Sequence, residues 1–192
     1  MPLTIPNLLT WLRIVLIPIF VAIYYLPEGW VSPHWLNFTA ALIFALAALT
    51  DWLDGYLARV LNQSSAFGAF LDPVADKLMV AAALIVLVNL DRVDLLVTLV
   101  IIGREIAISA LREWMAAVGA RKSVAVSFVG KIKTASQMTA ILLLLYHDPV
   151  ARIDIQKIGT VLIYLAALLT LASMAYYIKK AWPQIDTRDT NL

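Results

Sequence analysis

Six long apolar runs dominate this sequence of 192 residues and restrict it to very few folds. Hydrophobic residues make up 62% of the chain, which exceeds the roughly 45–50% of an average soluble domain. A segment that crosses a bilayer must satisfy its own backbone hydrogen bonds, because the hydrocarbon core contains no water. Runs of about 20 apolar residues achieve this as α-helices. The sequence therefore predicts an all-α integral membrane protein.

Short polar or proline-containing segments separate the apolar runs and mark the ends of the predicted helices. We predict a short N-terminal interfacial helix followed by six transmembrane helices. The six spans cover residues 11–26, 35–61, 65–90, 95–118, 127–146 and 155–178, and a polar tail follows them. Proline disrupts a regular helix, so the third span either begins at Asp72 or, as we favour, continues with a kink at Pro73. The sequence contains no evident linker or repeat, and we expect residues 1–192 to form one membrane domain.

The distribution of basic residues predicts how the protein lies in the membrane. Ten of them fall on or near the side that holds both chain ends: Arg13, Arg59, Arg112, Arg121, Lys122, Lys131, Lys133, Lys179, Lys180 and Arg188. The opposite loops contain little more than Arg92, Arg152 and Lys157. Because cytoplasmic loops carry the excess of lysine and arginine, we expect both termini to be cytoplasmic. We expect no nucleic-acid partner.

Four aspartates interrupt the second and third predicted spans. Asp51 and Asp54 are three residues apart, and Asp72 and Asp76 are four apart. Residues at these spacings share one face of a helix. The polar residues 62–65 between the pairs indicate a turn. An antiparallel helix pair with this turn would bring the four carboxylates to the same depth, facing each other.

Carboxylates inside a membrane protein must be neutralised, since each costs about 2.5–3.5 kcal/mol at the centre of a membrane helix. Protonation would achieve this, but four carboxylates also suit two divalent cations. Oxygen ligands without cysteine or histidine favour Mg²⁺, Mn²⁺ or Ca²⁺ over zinc. Small residues and one arginine lie between the aspartate pairs: Gly55, Ala58, Arg59 and Gly68. The small residues would let a ligand approach the helix backbone. The arginine would offer a fork of hydrogen-bond donors to a phosphate.

The pattern D-x2-D-G-x2-A-R-x8-G-x3-D-x3-D, which starts at Asp51, resembles the signature of the CDP-alcohol phosphotransferase family of integral membrane enzymes. The resemblance implies two divalent cations, Mg²⁺ or Mn²⁺, bound by the four aspartates, with Asp76 also acting as the catalytic general base. It implies that the CDP pocket is lined by Gly55, Ala58, Arg59 and Gly68. We expect Asn7 and Thr10 to cap the start of the first span and to contact the nucleotide.

Four further basic residues predict where the second substrate binds. They are Arg104 and Arg112 in the fourth predicted span, and Lys131 and Lys133 near the start of the fifth. We interpret them as a pocket for an anionic acceptor, most simply one that carries a phosphate. In the alternative interpretation Arg104 pairs with Glu105 or a site aspartate, Arg112 pairs with Glu113, and the lysines contact anionic lipid.

Two wider stretches, residues 5–18 and 103–138, resemble the bacterial members of that family that make phosphatidylglycerophosphate. This implies CDP-diacylglycerol as donor, sn-glycerol 3-phosphate as acceptor, CMP as the second product, and a homodimer. The implied location is the bacterial inner membrane, with the active site facing the cytoplasm. Inositol phosphate or serine as acceptor remains an alternative. From another class, intramembrane carboxylates also occur in ion transporters, although all four aspartates here fall within one helical hairpin.

Overall fold

A computed structural model of the chain describes residues 5–61, 66–117, 128–150 and 153–189. Helices account for nearly all of them, which confirms the all-α prediction. The helices are α1 (Ile5–Ala22), α2 (Pro33–Val60), α3 (Ala66–Asn89), α4 (Leu95–Ala117), α5 (Phe128–Tyr146) and α6 (Ile155–Asp189). A short 3₁₀ turn, Ile23–Tyr25, follows α1.

Three segments within these helices are long and apolar enough to cross a membrane: Asn7–Tyr25, Pro33–Leu57 and Ile155–Lys179. A shorter apolar segment, Ile132–Tyr146, lies in α5. Both α3 and α4 contain charged residues, which lower the hydropathy of those helices. By length and composition, the chain is therefore a membrane protein with several apolar helices.

Both ends of the described chain differ from the prediction. Residues 5–10 form the first turns of α1 rather than a separate interfacial helix. Pro6 is compatible with this start, because the first turn of a helix tolerates proline. At the other end, the sequence predicts a polar tail after residue 178, but α6 continues to Asp189. Polar side chains do not end a helix, because its hydrogen bonds join backbone groups.

The third helix continues through Pro73. It begins at Ala66, so the alternative in which it starts at Asp72 is wrong. Asp72 and Asp76 consequently lie one turn apart on an established helix, near its N-terminal end. This places them at the same end of the bundle as the C-terminal end of α2, which carries Asp51 and Asp54.

Each of the six helices contributes nearly fully buried side chains to the apolar interior, with at most 1% of their surface exposed. One such residue from each helix is Phe20, Phe44, Leu84, Ile101, Ile141 and Ile163. Burial of side chains this large stabilises a bundle by dense packing. The core thereby fixes the relative positions of the helix ends, including those that carry the aspartates.

Arg92 joins three elements at the end of the bundle opposite the aspartates. Its Nη1 donates to the backbone oxygens of Leu144 and Leu145, at 3.0 Å each. Its Nη2 donates to Oδ1 of Asn37 at 2.8 Å. A cation suits the C-terminal end of α5, where backbone carbonyls lack helical partners. Arg92 thus ties the loop after α3 to α5 and to the first turns of α2.

Candidate active site

One side of α1 carries three buried polar residues near its N-terminal end. Asn7, Thr10 and Arg13 follow each other at intervals of three, so they lie along one strip of the helix. They are 9%, 1% and 1% exposed, respectively. Buried polar groups are nearly always hydrogen-bonded, and three aspartates of α2 and α3 are the partners of Thr10 and Arg13.

Arg13 bridges the two aspartates of α2. Its Nη1 lies 2.9 Å from Oδ1 of Asp51, and its Nη2 donates to Oδ2 of Asp54 at 2.6 Å. The planar guanidinium offers two donors in a fixed fork, which suits two adjacent acceptors. The Asp54 side chain is 6% exposed and that of Asp51 is 45% exposed. The sequence indicates Arg13 only as a cytoplasmic basic residue, because its two partners lie on a different helix.

The aspartates of α3 lie close to those of α2. The Thr10 hydroxyl donates a hydrogen bond to Oδ1 of Asp72. Asp51 of α2 and Asp76 of α3 line one cavity. The structure therefore brings carboxylates from both helices together with polar groups of α1, and we call these four aspartates and Arg13 the aspartate cluster.

The four carboxylates of the aspartate cluster are held mainly by polar groups of α1 rather than grouped around one point. Within the described ranges, no three aspartate, glutamate or histidine side chains are grouped closely enough to hold one. Arg13 and Thr10 occupy oxygens of three of the four carboxylates. The donor set itself fits hard divalent cations, because it consists of carboxylate oxygens and the chain contains no cysteine. Here Arg13 provides part of the positive charge that such cations would bring.

A cavity of about 400 Å³ lies beside the aspartate cluster and between α2, α3, α4 and α5. Its lining includes Asp51 and Asp76 of that cluster, together with Glu105, Lys133 and Gln137. This volume falls within the range of sites that bind small molecules. We call it the interhelical cavity.

Lys133 lines the interhelical cavity, alone among the predicted acceptor residues whose side chains the structure describes. It is only 3% exposed, and its Nζ donates to Oε1 of Glu105. Arg104 lies on the other side of the same carboxylate, with Nη1 3.5 Å from Oε2, and its Nη2 donates to Oγ of Ser173 at 3.0 Å. Two predicted acceptor residues therefore share Glu105, and the alternative pairing of Arg104 with Glu105 is present.

Arg112 lies between α4 and α6 and contacts Tyr177. Its Nη2 donates to the tyrosine Oη at 2.9 Å, and its guanidinium carbon is 5.0 Å from the ring centroid. The guanidinium carbon of Arg104 is 5.9 Å from the same ring, and Tyr177 is fully buried. Both distances are within the range of cation–π attraction. Arg112 thus pairs with Tyr177, whereas the alternative interpretation pairs it with Glu113.

The remaining predicted site residues fall near the ends of α2, α3 and α5. Gly55 is exposed on α2, and a Cβ added there would meet no described atom within 4 Å. Gly68 is buried on α3. The side chains of Ala58, Arg59 and Lys131 lie outside the described residues. The open space at Gly55 leaves room for a ligand beside α2.

Comparison with known proteins gives a consistent result over nearly the whole chain. Residues 3–176 match the family described as CDP-alcohol phosphatidyltransferase. A CDP-diacylglycerol–glycerol-3-phosphate 3-phosphatidyltransferase of Shigella flexneri serotype 5b is 53% identical over 184 residues, and the alignment covers 94% of this chain and 96% of the relative. The protein of the same name from Escherichia coli K12 has the same identity and coverage.

Proposed function

The chain belongs to the CDP-alcohol phosphatidyltransferase family, and we propose that it is a CDP-diacylglycerol–glycerol-3-phosphate 3-phosphatidyltransferase. It transfers the phosphatidyl group of CDP-diacylglycerol to sn-glycerol 3-phosphate and releases CMP. The product, phosphatidylglycerophosphate, leads to phosphatidylglycerol and cardiolipin. Identity of 53% over 94% of the chain to proteins of that name supports the donor and the acceptor together.

The observation that carries this proposal is that Asp51, Asp76 and Lys133 line one cavity. A transfer to a phosphorylated alcohol needs a base for the hydroxyl and a cation for the acceptor phosphate. It also needs the donor phosphorus within reach of that hydroxyl. The interhelical cavity combines a carboxylate and an ammonium group beside the aspartate cluster. This combination fits an acceptor that carries both a hydroxyl and a phosphate.

Members of this family use divalent cations. We assign the binding of two of them, Mg²⁺ or Mn²⁺, to the four side chains Asp51, Asp54, Asp72 and Asp76. When bound, such ions offset the negative charge that builds up on the leaving CMP. Arg13 and Thr10 hold three of these carboxylates and so keep mutually repelling groups at fixed positions on α2 and α3.

Asp76 is the general base in this proposal. It lines the interhelical cavity, where it takes the proton from the primary hydroxyl of the acceptor. The acceptor oxygen then forms a bond to the phosphorus on the lipid side of the diphosphate. The bond between that phosphorus and the bridging oxygen breaks, and CMP leaves with the electron pair. A direct displacement of this kind needs no separate nucleophile.

We place the cytidine diphosphate beside the N-terminal end of α1 and the facing ends of α2 and α3. The residues assigned to this pocket are Asn7, Thr10, Gly55, Ala58, Arg59 and Gly68. The open space at Gly55 and the burial of Asn7 and Thr10 next to the aspartate cluster support this position. A glycine allows a phosphate or sugar to approach the helix backbone closely.

We place the acceptor phosphate at Lys133, in competition with Glu105. The Glu105 carboxylate holds Lys133 in the protein alone, and a phosphate with more negative charge can replace it there. Arg104 contacts the same carboxylate and would keep Glu105 paired after the exchange. Arg112 and Lys131 add positive charge on the same side of the bundle.

We propose that all six helices span the bilayer and that both termini are cytoplasmic. The protein then lies in the inner membrane of a bacterium as one domain, with its active site toward the cytoplasm and a second copy as its partner. The excess of basic residues at the end that carries the aspartate cluster supports this orientation.

The test is CMP release by purified protein in detergent with CDP-diacylglycerol. Glycerol 3-phosphate, inositol 1-phosphate and serine are supplied separately, each with Mg²⁺, with Mn²⁺ and with a chelator. We expect metal-dependent release of CMP with glycerol 3-phosphate and not with the other two acceptors. Release with another acceptor would overturn the assignment of the acceptor, and no release with any of them, from folded protein, would overturn the assignment as a transferase.

A further inference from the structure

Gln137 is a buried amide with an unused hydrogen-bond acceptor inside the interhelical cavity. The residue is 3% exposed and lines the cavity. Its Oε1 has no hydrogen-bond partner among the described residues. Buried side-chain oxygens are rarely left without a donor. A donor from a bound molecule would therefore complete the site.

The position of Gln137 relates it to two residues of the proposed mechanism. It follows Lys133 by four residues on α5, so both side chains lie on the same face about 6 Å apart along the helix axis. Asp76 lies on the wall formed by α3. The cavity thus presents a cation, a neutral oxygen acceptor and a carboxylate.

We propose that Gln137 Oε1 accepts a hydrogen bond from the secondary hydroxyl of glycerol 3-phosphate and thereby determines acceptor specificity. This inference rests on the proposed function. The acceptor carries three polar groups, and each has a counterpart: the phosphate at Lys133, the reacting primary hydroxyl at Asp76, and the secondary hydroxyl between them at Gln137. Gln137 takes no part in the proton transfer or the displacement.

A hydrogen-bond acceptor in this position discriminates against molecules that lack the hydroxyl. A site built to bind a hydroxyl rejects the analogue without it, because the buried protein group is then left unpaired. The matching analogue is 3-hydroxypropyl phosphate, which keeps the phosphate and the primary hydroxyl but lacks the secondary hydroxyl. The unaltered enzyme should therefore prefer glycerol 3-phosphate over this analogue.

The experiment compares both acceptors in the unaltered protein and in Gln137→Met, which keeps the length of the side chain but removes the amide. CMP release gives kcat/KM for each acceptor at saturating CDP-diacylglycerol. We expect the unaltered protein to prefer glycerol 3-phosphate by about tenfold and the variant to lose that preference. The KM for CDP-diacylglycerol should stay unchanged in the variant.

The matched control is Gln156→Met, the same substitution at an exposed position of α6, which should keep the acceptor preference. If Gln137→Met lowers kcat/KM equally for both acceptors, its role is structural and the inference is wrong. If Gln137→Met does not fold, Gln137→Asn provides the same comparison, because the shortened amide no longer meets the hydroxyl. Absence of turnover by folded, unaltered protein with glycerol 3-phosphate would instead overturn the proposed function, and this inference with it.

Discussion

Arg13 is the residue that sets the charge balance of the aspartate cluster. It is 1% exposed and contacts Asp51 and Asp54. A buried charge that loses its partner destabilises a protein far more than an exposed one. Arg13 and the proposed divalent cations are therefore two sources of positive charge for the same carboxylates. The stability of the protein should then depend on metal ions most strongly when Arg13 is absent.

We predict that Arg13→Met lowers the stability of the metal-free protein by about 3 kcal/mol, at the lower end of the range for a broken buried pair because Asp51 is half-exposed. Thermal unfolding in detergent, with chelator and with Mg²⁺, measures the effect. Mg²⁺ should recover more stability in the variant than in the unaltered protein, since the cation neutralises the unpaired carboxylates. Arg13→Lys, which keeps the charge but loses the fork, should fall between them. An equal loss under both conditions would show that metal and Arg13 do not act on the same groups.

Asp76 can be tested separately from the other three aspartates. Asp76→Asn keeps the size of the side chain but removes the basic oxygen, so turnover should fall at least about 100-fold, as expected for loss of a general base. The fold and much of the metal affinity should remain, because three aspartates are unchanged. CMP release and Mn²⁺ binding followed by electron paramagnetic resonance measure the two properties separately. Appreciable turnover in this variant would exclude Asp76 as the base.

Spacing along the chain indicated the four aspartates, since each pair lies on one helix. It did not indicate Arg13 or Gln137. Arg13 acts through contacts with residues 38 and 41 positions away, and Gln137 matters only because α5 faces α3 across the cavity. Such roles depend on how helices pack. A sequence pattern confined to one helix cannot specify them.

Among the helices, α5 and α6 pack closely against each other at Gly159. A Cβ added to this glycine would lie 2.8 Å from Cγ of Leu144 and 3.3 Å from Cβ of Leu143. Leu144 is fully buried and has little room to move. Small residues at such contacts let membrane helices approach closely. Gly159 therefore has a packing role far from the aspartate cluster.

We predict that Gly159→Ala destabilises the protein by about 1–3 kcal/mol, the usual cost of inserting a methyl group into a filled contact. The matched control is Gly103→Ala on α4, where the added methyl would meet no described atom within 4 Å. Alanine favours helix more than glycine by up to about 1 kcal/mol, so the control should be neutral or slightly stabilising. Thermal unfolding of both variants in detergent measures the difference. Equal stability of the two would mean that α5 and α6 do not touch at Gly159.

The helices themselves were largely predictable from apolar runs and the polar turns between them. The predicted starts of α3, α4, α5 and α6 lie within one residue of those observed. The misplaced ends have a common cause, since hydropathy predicts where apolar sequence stops rather than where the backbone leaves the helix. Residues 5–10 and the end of α6 are helical despite their mixed or polar composition.

Large apolar side chains face outward along several helices. Leu99 on α4 is 64% exposed, and Val161 and Leu168 on α6 are each 67% exposed. Water disfavours extended apolar surfaces of this kind, whereas lipid chains are an equally apolar environment. Arg104 and Lys133 are at most 8% exposed. Two of the charges that lower the hydropathy of α4 and α5 are thus turned inward, which is compatible with both helices lying in the bilayer.

The proposed orientation predicts which ends of the bundle react with a membrane-impermeant maleimide. The chain contains no cysteine, so single substitutions give an unambiguous signal. Glu28→Cys lies in the exposed loop before α2, and Leu61→Cys lies exposed just after the C-terminal end of that helix. The 28 residues of α2 separate the two positions by about 42 Å. In spheroplasts we expect labelling of Glu28→Cys alone, because the positive-inside rule places the aspartate end in the cytoplasm. Labelling of both variants after detergent treatment serves as the control for reactivity. Labelling of Leu61→Cys alone in spheroplasts would contradict the proposed orientation. The aspartate cluster would then face away from the cytoplasm and from the CDP-linked substrate that it is proposed to bind.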